Sequence, residues 1–180
     1  MQPLQPVEKV DMNYFELYNI PVSLKVDMPE VKKKFYELSR KYHPDFYSND
    51  TEAEQAEVLQ KSSDVNKAFK VFNNADETIK YVLQLKGLLE EEEKYQLPNA
   101  FLMEMMELNE EAMDAKMEAD PEKQQQLQTA IYQLSTTIYE PVKQIVEHYK
   151  EGATTEKELL QVKEYYFKKK YLNRILASSN

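Results

Sequence analysis

The hydrophobic and polar positions of this chain alternate with the period of amphipathic helices. Between residues 31 and 42 the apolar side chains recur at intervals of four, three and four, which places them on one helix face: Val31, Phe35, Leu38 and Tyr42. Further along, a seven-residue alternation links Val58, Ser62, Val65, Phe69 and Phe72. These patterns predict two helices that pair as an antiparallel hairpin.

Capping signals bound these two helices and leave a short tip between them. Asp27 is a cap residue before the first helix, and Thr51 with Glu54 forms a capping-box pattern before the second. The first helix should end at His43-Pro44, because the residue before a proline is disfavoured in helical conformation. The segment HPDFYSND therefore forms the tip of the hairpin.

Two shorter helices flank the hairpin, and an acidic run follows them. The apolar segment at residues 14–18 precedes Pro21, which limits it to one or two helical turns. Another short helix is predicted from Asn74 to Gly87, where glycine provides a C-terminal stop. The run LLEEEEKYQL at residues 88–97 is typical of a solvated linker.

The helical pattern resumes after Pro98. The first helix there carries one apolar stripe, formed by Phe101, Met105, Leu108 and Ala112. A long helix begins at Asp120-Pro121 and should be kinked or split at Pro141, and the last helix begins at Thr155. The predicted fold class is all-α, a helical hairpin with two short helices followed by a C-terminal three-helix bundle. The predicted segments are a flexible N-terminus, a first domain, a linker and a second domain: residues 1–11, 12–87, 88–97 and 98–180.

Composition excludes several kinds of functional site. Two glycines in the chain leave little for glycine-rich nucleotide-binding loops. The absence of cysteine excludes disulfides, thiolate zinc sites and cysteine nucleophiles on this chain. His43 and His148 lie too far apart in the sequence to form a metal-ligating pair. We expect no metal, no cofactor and no catalytic residue, so enzymatic activity is the least favoured hypothesis.

The charge balance and the hydropathy also restrict the partners. A net charge of -9 repels the phosphate backbone of nucleic acids. No stretch approaches the length of a membrane span, and the N-terminus MQPLQPVEKV lacks the features of a signal or transit peptide. We therefore expect a soluble cytoplasmic protein whose partners are neither nucleic acid nor membrane.

The tip of the hairpin carries the tripeptide His43-Pro44-Asp45. A bare three-residue motif recurs by chance and could be a proline turn with two polar flanks. Here it ends the run LSRKYHPD, after the segment YFELYNIP and a basic helix, and a longer apolar-faced helix follows. This arrangement resembles the J domain of DnaJ-type co-chaperones. The resemblance implies that the tripeptide and the basic helix dock on a DnaK-type heat-shock ATPase and stimulate its ATP hydrolysis.

The resemblance extends to one family of J proteins. Four segments look like the J domain of HscB, a co-chaperone of iron–sulfur cluster assembly: Tyr14 to Pro21, Tyr42 to Phe46, Glu54 to Phe69 and Tyr81 to Gly87. The segment PNAFLMEMMELNEEAMD is similar to the start of the HscB C-terminal bundle. Phe46 departs from the lysine often seen after the tripeptide, and the last J-domain helix lacks the family's common proline and arginine. Eukaryotic relatives carry an extra N-terminal cysteine module, and this chain has no cysteine, so a bacterial cytoplasmic form is favoured.

A cluster of basic residues precedes the tripeptide. Five positive charges fall within ten residues of an acidic chain: Lys32, Lys33, Lys34, Arg40 and Lys41. Such a patch can steer an acidic partner surface, although an ordinary solvated helix face has a similar composition. The predicted chaperone-binding residues are His43, Pro44, Asp45, Lys32, Lys33, Arg40 and Lys41.

The helix after Pro98 has more apolar surface than one buried face needs. Leu102, Met103 and Met106 lie partly to the side of the stripe, which predicts a second, exposed apolar patch. Methionine suits both cores and adaptable binding surfaces, so the core remains an alternative. The resemblance implies that this patch binds an IscU-type iron–sulfur scaffold protein. The implied client-binding residues are Leu102, Met103, Met106, Glu107, Glu110, Asp114 and Phe167.

Two other functions stay open from the sequence. One is a J-domain adaptor that serves a different client. The other is a helical interaction protein without chaperone activity, in which the tripeptide is accidental. The ATPase partner is expected to be of the HscA or DnaK type.

Overall fold

The structure is a computed structural model that describes residues 12–179, with side chains up to residue 177, and this part of the chain is helical. The predicted flexible segment, residues 1–11, lies outside the described residues. The helices are α1 (Tyr14–Tyr18), α2 (Met28–Lys41), α3 (Glu52–Phe72), α4 (Ala75–Leu85), α5 (Asn99–Glu118), α6 (Pro121–Tyr139), α7 (Lys143–Glu147) and α8 (Glu156–Ser179). Two 3-10 turns lie at Pro44–Tyr47 and Glu140–Val142. The predicted all-α class is confirmed. Among the described residues, none of the helices combines the length and the hydrophobicity of a membrane span.

The described chain divides into two compact units. The first contains α1 to α3, and the second contains α4 to α8 together with residues 23–25. Helix α4, which the sequence pattern assigned to the first domain, is grouped with the C-terminal helices in this division. The domain boundaries inferred from the sequence therefore stay a prediction.

Aromatic packing holds the first unit together. Helices α2 and α3 form the predicted hairpin, and α1 packs on both. The ring of Phe35 in α2 stacks on Phe69 in α3, with centroids 4.3 Å apart. Phe15 and Tyr18 of α1 are buried, and their ring centroids lie 5.0 and 5.2 Å from that of Phe72. These contacts fix the two long helices relative to each other.

The helix starts follow the capping signals of the sequence with one exception. At α3, Thr51 Oγ1 accepts the N–H of Glu54 at 3.3 Å, and the Glu54 carboxylate accepts the N–H of Thr51 at 2.9 Å. The Thr51 hydroxyl and then its N–H lower the pKa of Glu54, because both donate to the ionised carboxylate. Asp27 occupies the N-cap of α2, but its side chain makes no capping hydrogen bond. The local feature that favours the start of this helix is therefore Pro29 in its first turn.

The second unit contains the predicted three-helix bundle, with the middle helix split. Helices α5, α6 and α8 pack on one another, and α4 packs on α8. Pro141 lies in the 3-10 turn that separates α6 from α7, as its missing N–H and fixed backbone predict. The bundle core includes Met105, Leu108, Leu127, Ile131, Leu172 and Ile175.

Residues 88–97, here called the connecting segment, join α4 to α5 without helical structure. Leu89 and Leu97 are buried, at 6% and 8% exposure. Glu93 forms an ion pair of 2.6 Å with Lys163 of α8, and both side chains are largely shielded from solvent. The acidic composition suggested a solvated linker, but apolar anchors and this ion pair attach the segment to the second unit.

A buried hydroxyl gives a test of the packing in the first unit. Tyr18 Oη donates to the carbonyl of Val65 at 2.7 Å. Tyr18→Phe removes this bond, so hydrogen exchange of α3 amides should report a free energy of opening lower by about 1 kcal/mol. The control Tyr36→Phe changes a side chain that is 66% exposed and should alter it by less than about 0.5 kcal/mol. Equal effects of the two variants would contradict this packing.

Candidate functional site

The tripeptide lies on an exposed loop between α2 and α3, residues 43–50, here called the tip loop. His43 caps the 3-10 turn, since its Nδ1 accepts the N–H of Asp45 at 3.3 Å. Pro44 sets the first position of that turn. The Asp45 side chain is 86% exposed, with its carboxylate 3.7 Å from His43 Nδ1. The loop thus presents a carboxylate and an imidazole to solvent.

Hydrogen bonds from both neighbouring helices hold the tip loop. Tyr47 Oη donates to the carbonyl of Lys41 at the end of α2, at 2.8 Å. The amide of Gln55 in α3 donates to the carbonyls of Ser48 and Asp50, at 3.2 and 2.9 Å. The 3-10 turn was not predicted, because a proline-containing tip is compatible with many loop conformations. These bonds restrict the conformations in which the tripeptide is presented.

Phe46 extends the tip loop beside the tripeptide. Its side chain is 70% exposed, and its ring lies edge-on to that of His43 with centroids 5.9 Å apart. At this position the tip loop exposes an aromatic ring where the J domains that the sequence resembles often have a lysine.

Four of the predicted basic residues are exposed on α2 and are here called the basic face: Lys32, Lys33, Arg40 and Lys41. None of the four is in an ion pair with another described residue. Lys34 is only half-exposed, so the fifth charge contributes less to this surface. Because Arg40 and Lys41 end α2, they lie directly before the tip loop.

Helix α5 has a buried face and an exposed face. Phe101, Met105, Leu108 and Ala112 are buried in the bundle, as the apolar stripe predicted. Met103 and Met106 are 64% and 62% exposed. The acidic residues that the resemblance singled out are also exposed on α5: Glu107, Glu110 and Asp114. One helix therefore supplies both core contacts and an apolar surface with acidic neighbours.

Leu102 and Phe167 are half-buried and line the same groove, which α8 and the connecting segment border. The Phe167 ring is stacked on Tyr95 with centroids 4.6 Å apart and planes 3° from parallel, and it meets Tyr166 edge-on at 5.2 Å. Leu102 packs against the bundle core. Together with the exposed α5 residues, they form what we call the client face: Leu102, Met103, Met106, Glu107, Glu110, Asp114 and Phe167.

Sequence reasoning missed three side chains near these surfaces. Met113 and Met117 are 57% and 82% exposed and continue the methionine positions along α5. Their spacing from Met106 would have indicated a longer face. The packing of Tyr95 was not predicted, because this residue lies in the acidic run, which has no periodic pattern of apolar positions. Burial, followed by the charges of Glu164 and Glu93, raises the pKa of its phenol.

Comparison with known protein families assigns the two halves of the chain. The DnaJ domain model matches residues 13–81, and the HSCB C-terminal oligomerisation domain model matches residues 97–179. The chain belongs to the HscB family of J-domain co-chaperones. Members of the HscB family are co-chaperones rather than catalytic enzymes.

Two solved HscB structures share the fold of this family member. The chaperone HscB from Vibrio cholerae has a TM-score of 0.73 and 23% identity, covering 93% of this chain and 95% of that one. The human co-chaperone HscB has a TM-score of 0.79 and 23% identity, covering 99% of this chain and 84% of that one. The tip loop lies in the DnaJ match and the client face in the HSCB match, while the roles of their individual residues stay predictions.

The anchoring of the tip loop can be tested with one hydroxyl. Tyr47→Phe removes the bond to the Lys41 carbonyl, so amide exchange within residues 43–50 should become about fivefold faster. Hydrogen exchange read by mass spectrometry measures the rate. Tyr36→Phe, on the exposed surface of α2, should leave it unchanged. Unchanged exchange in the Tyr47 variant would show that other contacts hold the loop.

Proposed function

We propose that this HscB-family chain binds an HscA-type or DnaK-type ATPase through the tip loop and the basic face. It stimulates ATP hydrolysis by that chaperone and delivers an IscU-type iron–sulfur scaffold protein held on the client face. The cellular setting proposed is the bacterial cytoplasm. The observation that carries the proposal is the pairing of an anchored, solvent-exposed tripeptide with an exposed apolar face on a separate unit.

The tip loop supports docking without catalysis by this chain. Asp45 offers an exposed charged acceptor, and His43 offers a second polar group held by the same turn. A carboxylate that accepts a hydrogen bond from a cationic partner group forms a strong, directional contact. The basic face adds a local reversal of sign that speeds encounter with an acidic surface.

The client face supports binding of a folded protein. Exposed methionines supply adaptable apolar contacts, and the acidic neighbours restrict which partner surfaces can approach. Leu102 and Phe167 are held by packing, so part of the face is ordered before the client binds.

A different client is the second candidate, and one observation favours it. Met113 and Met117 extend the apolar surface of α5 beyond the client face. A long methionine surface can repack against several partners. If a general misfolded substrate bound α5 and the scaffold did not, the adaptor hypothesis would replace delivery of the scaffold.

The role of Asp45 is tested by removing only its charge. Asp45→Asn keeps the side-chain shape in an exposed loop, so the fold should persist, while a charge-assisted contact worth about 1.5 to 3 kcal/mol is lost. Stimulation of single-turnover ATP hydrolysis should fall at least roughly tenfold. Asp50→Asn is a matched control in the same exposed loop and should stimulate like wild type. Full stimulation by the Asp45 variant would exclude the docking role.

The basic face should act mainly on the rate of association. Lys32→Glu with Lys33→Glu reverses two exposed charges, so association with the chaperone should slow and become less sensitive to salt. Stopped-flow measurements at low and high ionic strength give both quantities. Lys67→Glu with Lys70→Glu makes the same charge change on α3 and serves as the control. Equal rates in the two double variants would make the basic face an ordinary solvated surface.

The client face is tested by truncating its apolar centre. Replacing Leu102, Met103 and Met106 by Ala should all but abolish scaffold binding in calorimetric titration, since such anchors contribute roughly 1 to 3 kcal/mol each. In the absence of scaffold, the triple variant should still stimulate ATP hydrolysis by the chaperone.

Two further variants separate binding from folding. Met103→Ala with Met106→Ala changes only exposed side chains and should weaken binding with no change in thermal melting. Tyr132→Ala, at a side chain that is 75% exposed on α6, should leave binding intact. If the triple variant and the double methionine variant both kept their affinity, the client would not bind through these side chains of α5.

A further inference from the structure

A groove of about 580 Å³ lies between the connecting segment and α8. Aromatic and aliphatic side chains form part of its walls: Tyr95, Leu102, Phe167 and Tyr171. Two cationic side chains, Lys170 and Arg174, also line it. Two of the wall residues, Leu102 and Phe167, also belong to the client face. The groove is therefore continuous with the surface on which the scaffold is proposed to bind.

The wall formed by the connecting segment is held in place before any partner binds. Glu93 and Lys163 form an ion pair of 2.6 Å, with side chains only 23% and 13% exposed. The ammonium group of Lys163 also lies 5.7 Å from the ring centroid of Tyr95. That ring stacks on Phe167. Ion pair, cation–π contact and ring stack together fix Tyr95 as a preformed wall.

The cations at the groove differ from their neighbours on α8. Lys163 and Lys168 are paired with Glu93 and Glu164, both at 2.6 Å. Lys169 donates to Ser135 at 2.8 Å. Within the described side chains, neither Lys170 nor Arg174 has a carboxylate in ion-pair distance.

The surroundings of these two cations do not neutralise them directly. Lys170 and Arg174 also line a second groove, together with Asp76, Glu77 and Lys80. Asp76 accepts a hydrogen bond from Asn173, and Glu77 lies 4.0 Å from Lys80. Both carboxylates thus have nearer partners, and Lys170 and Arg174 remain available to a ligand that carries a negative charge.

We propose that this groove binds a segment of the client that carries a carboxylate beside an apolar side chain. The apolar side chain packs against the stacked pair of Tyr95 and Phe167, and the carboxylate meets Lys170 and Arg174. Complementary charge and continuity with the client face select this occupant. The inference rests on the proposed function, because the client is the IscU-type scaffold.

The charge contact is tested by calorimetric titration of the full chain with an IscU-type scaffold protein. Lys170→Glu with Arg174→Glu should weaken binding about tenfold at low salt and reduce the salt dependence of the affinity. Lys150→Glu with Lys157→Glu makes the same charge change at exposed positions away from the groove and is the matched control. Equal affinities for the two double variants would overturn the proposal while leaving scaffold binding intact.

The aromatic wall is tested with two substitutions of one residue. Tyr95→Phe keeps the stack on Phe167 and should retain the affinity, whereas Tyr95→Ala removes it and should weaken scaffold binding several-fold. Unchanged affinity for Tyr95→Ala, in a variant with a normal thermal melt, would also contradict binding of the client segment in the groove. If the wild-type chain does not bind the scaffold at all, the proposed function fails and the groove inference fails with it.

Discussion

The packing of α2 against α3 is the constraint on which the first unit depends. Phe35 and Phe69 stack between the two helices, and α1 completes the core through Phe15 and Tyr18. The tip loop, residues 43–50, lies between α2 and α3. The tripeptide lies in that loop, and hydrogen bonds to α2 and α3 hold the loop. The apolar core thus fixes the two helices to which a polar, exposed loop is bonded.

The second unit uses one helix for two purposes. The buried face of α5 stabilises the bundle. Its methionines on the other face stay exposed, although a helix with a purely structural role would bury them. The connecting segment supports the adjoining aromatic groove through Glu93, Lys163 and Tyr95. The segment therefore joins two parts of the chain and also forms one wall of a binding surface.

Features that depend on local sequence were predicted well. The helices, the split at Pro141 and the capping box at Thr51 follow from spacing, backbone restriction and short-range hydrogen bonds, and the structure contains them. On α5, the same spacing separated the buried stripe from the exposed Met103 and Met106. Family resemblance was needed to attach partners to these surfaces, because composition and periodicity do not identify a ligand.

Features that depend on distant contacts were not predicted. The apolar face of α4 gives no indication that it packs on α8. The acidic run around Glu93 looked solvated, because its partner Lys163 lies seventy residues further along the chain. Tyr95 was overlooked for the same reason, since its stacking partner Phe167 belongs to the distant helix α8. Tertiary contacts override local composition at such positions.

The central claim is that one chain couples an ATPase to a client. It is tested most directly by single-turnover ATP hydrolysis of an HscA-type chaperone with this chain, with an IscU-type scaffold, and with both. Tethering the scaffold beside the chaperone raises its effective concentration, so stimulation by both together should exceed the sum of the separate effects. Stimulation no greater than that sum, at concentrations where each pair binds, would contradict the account.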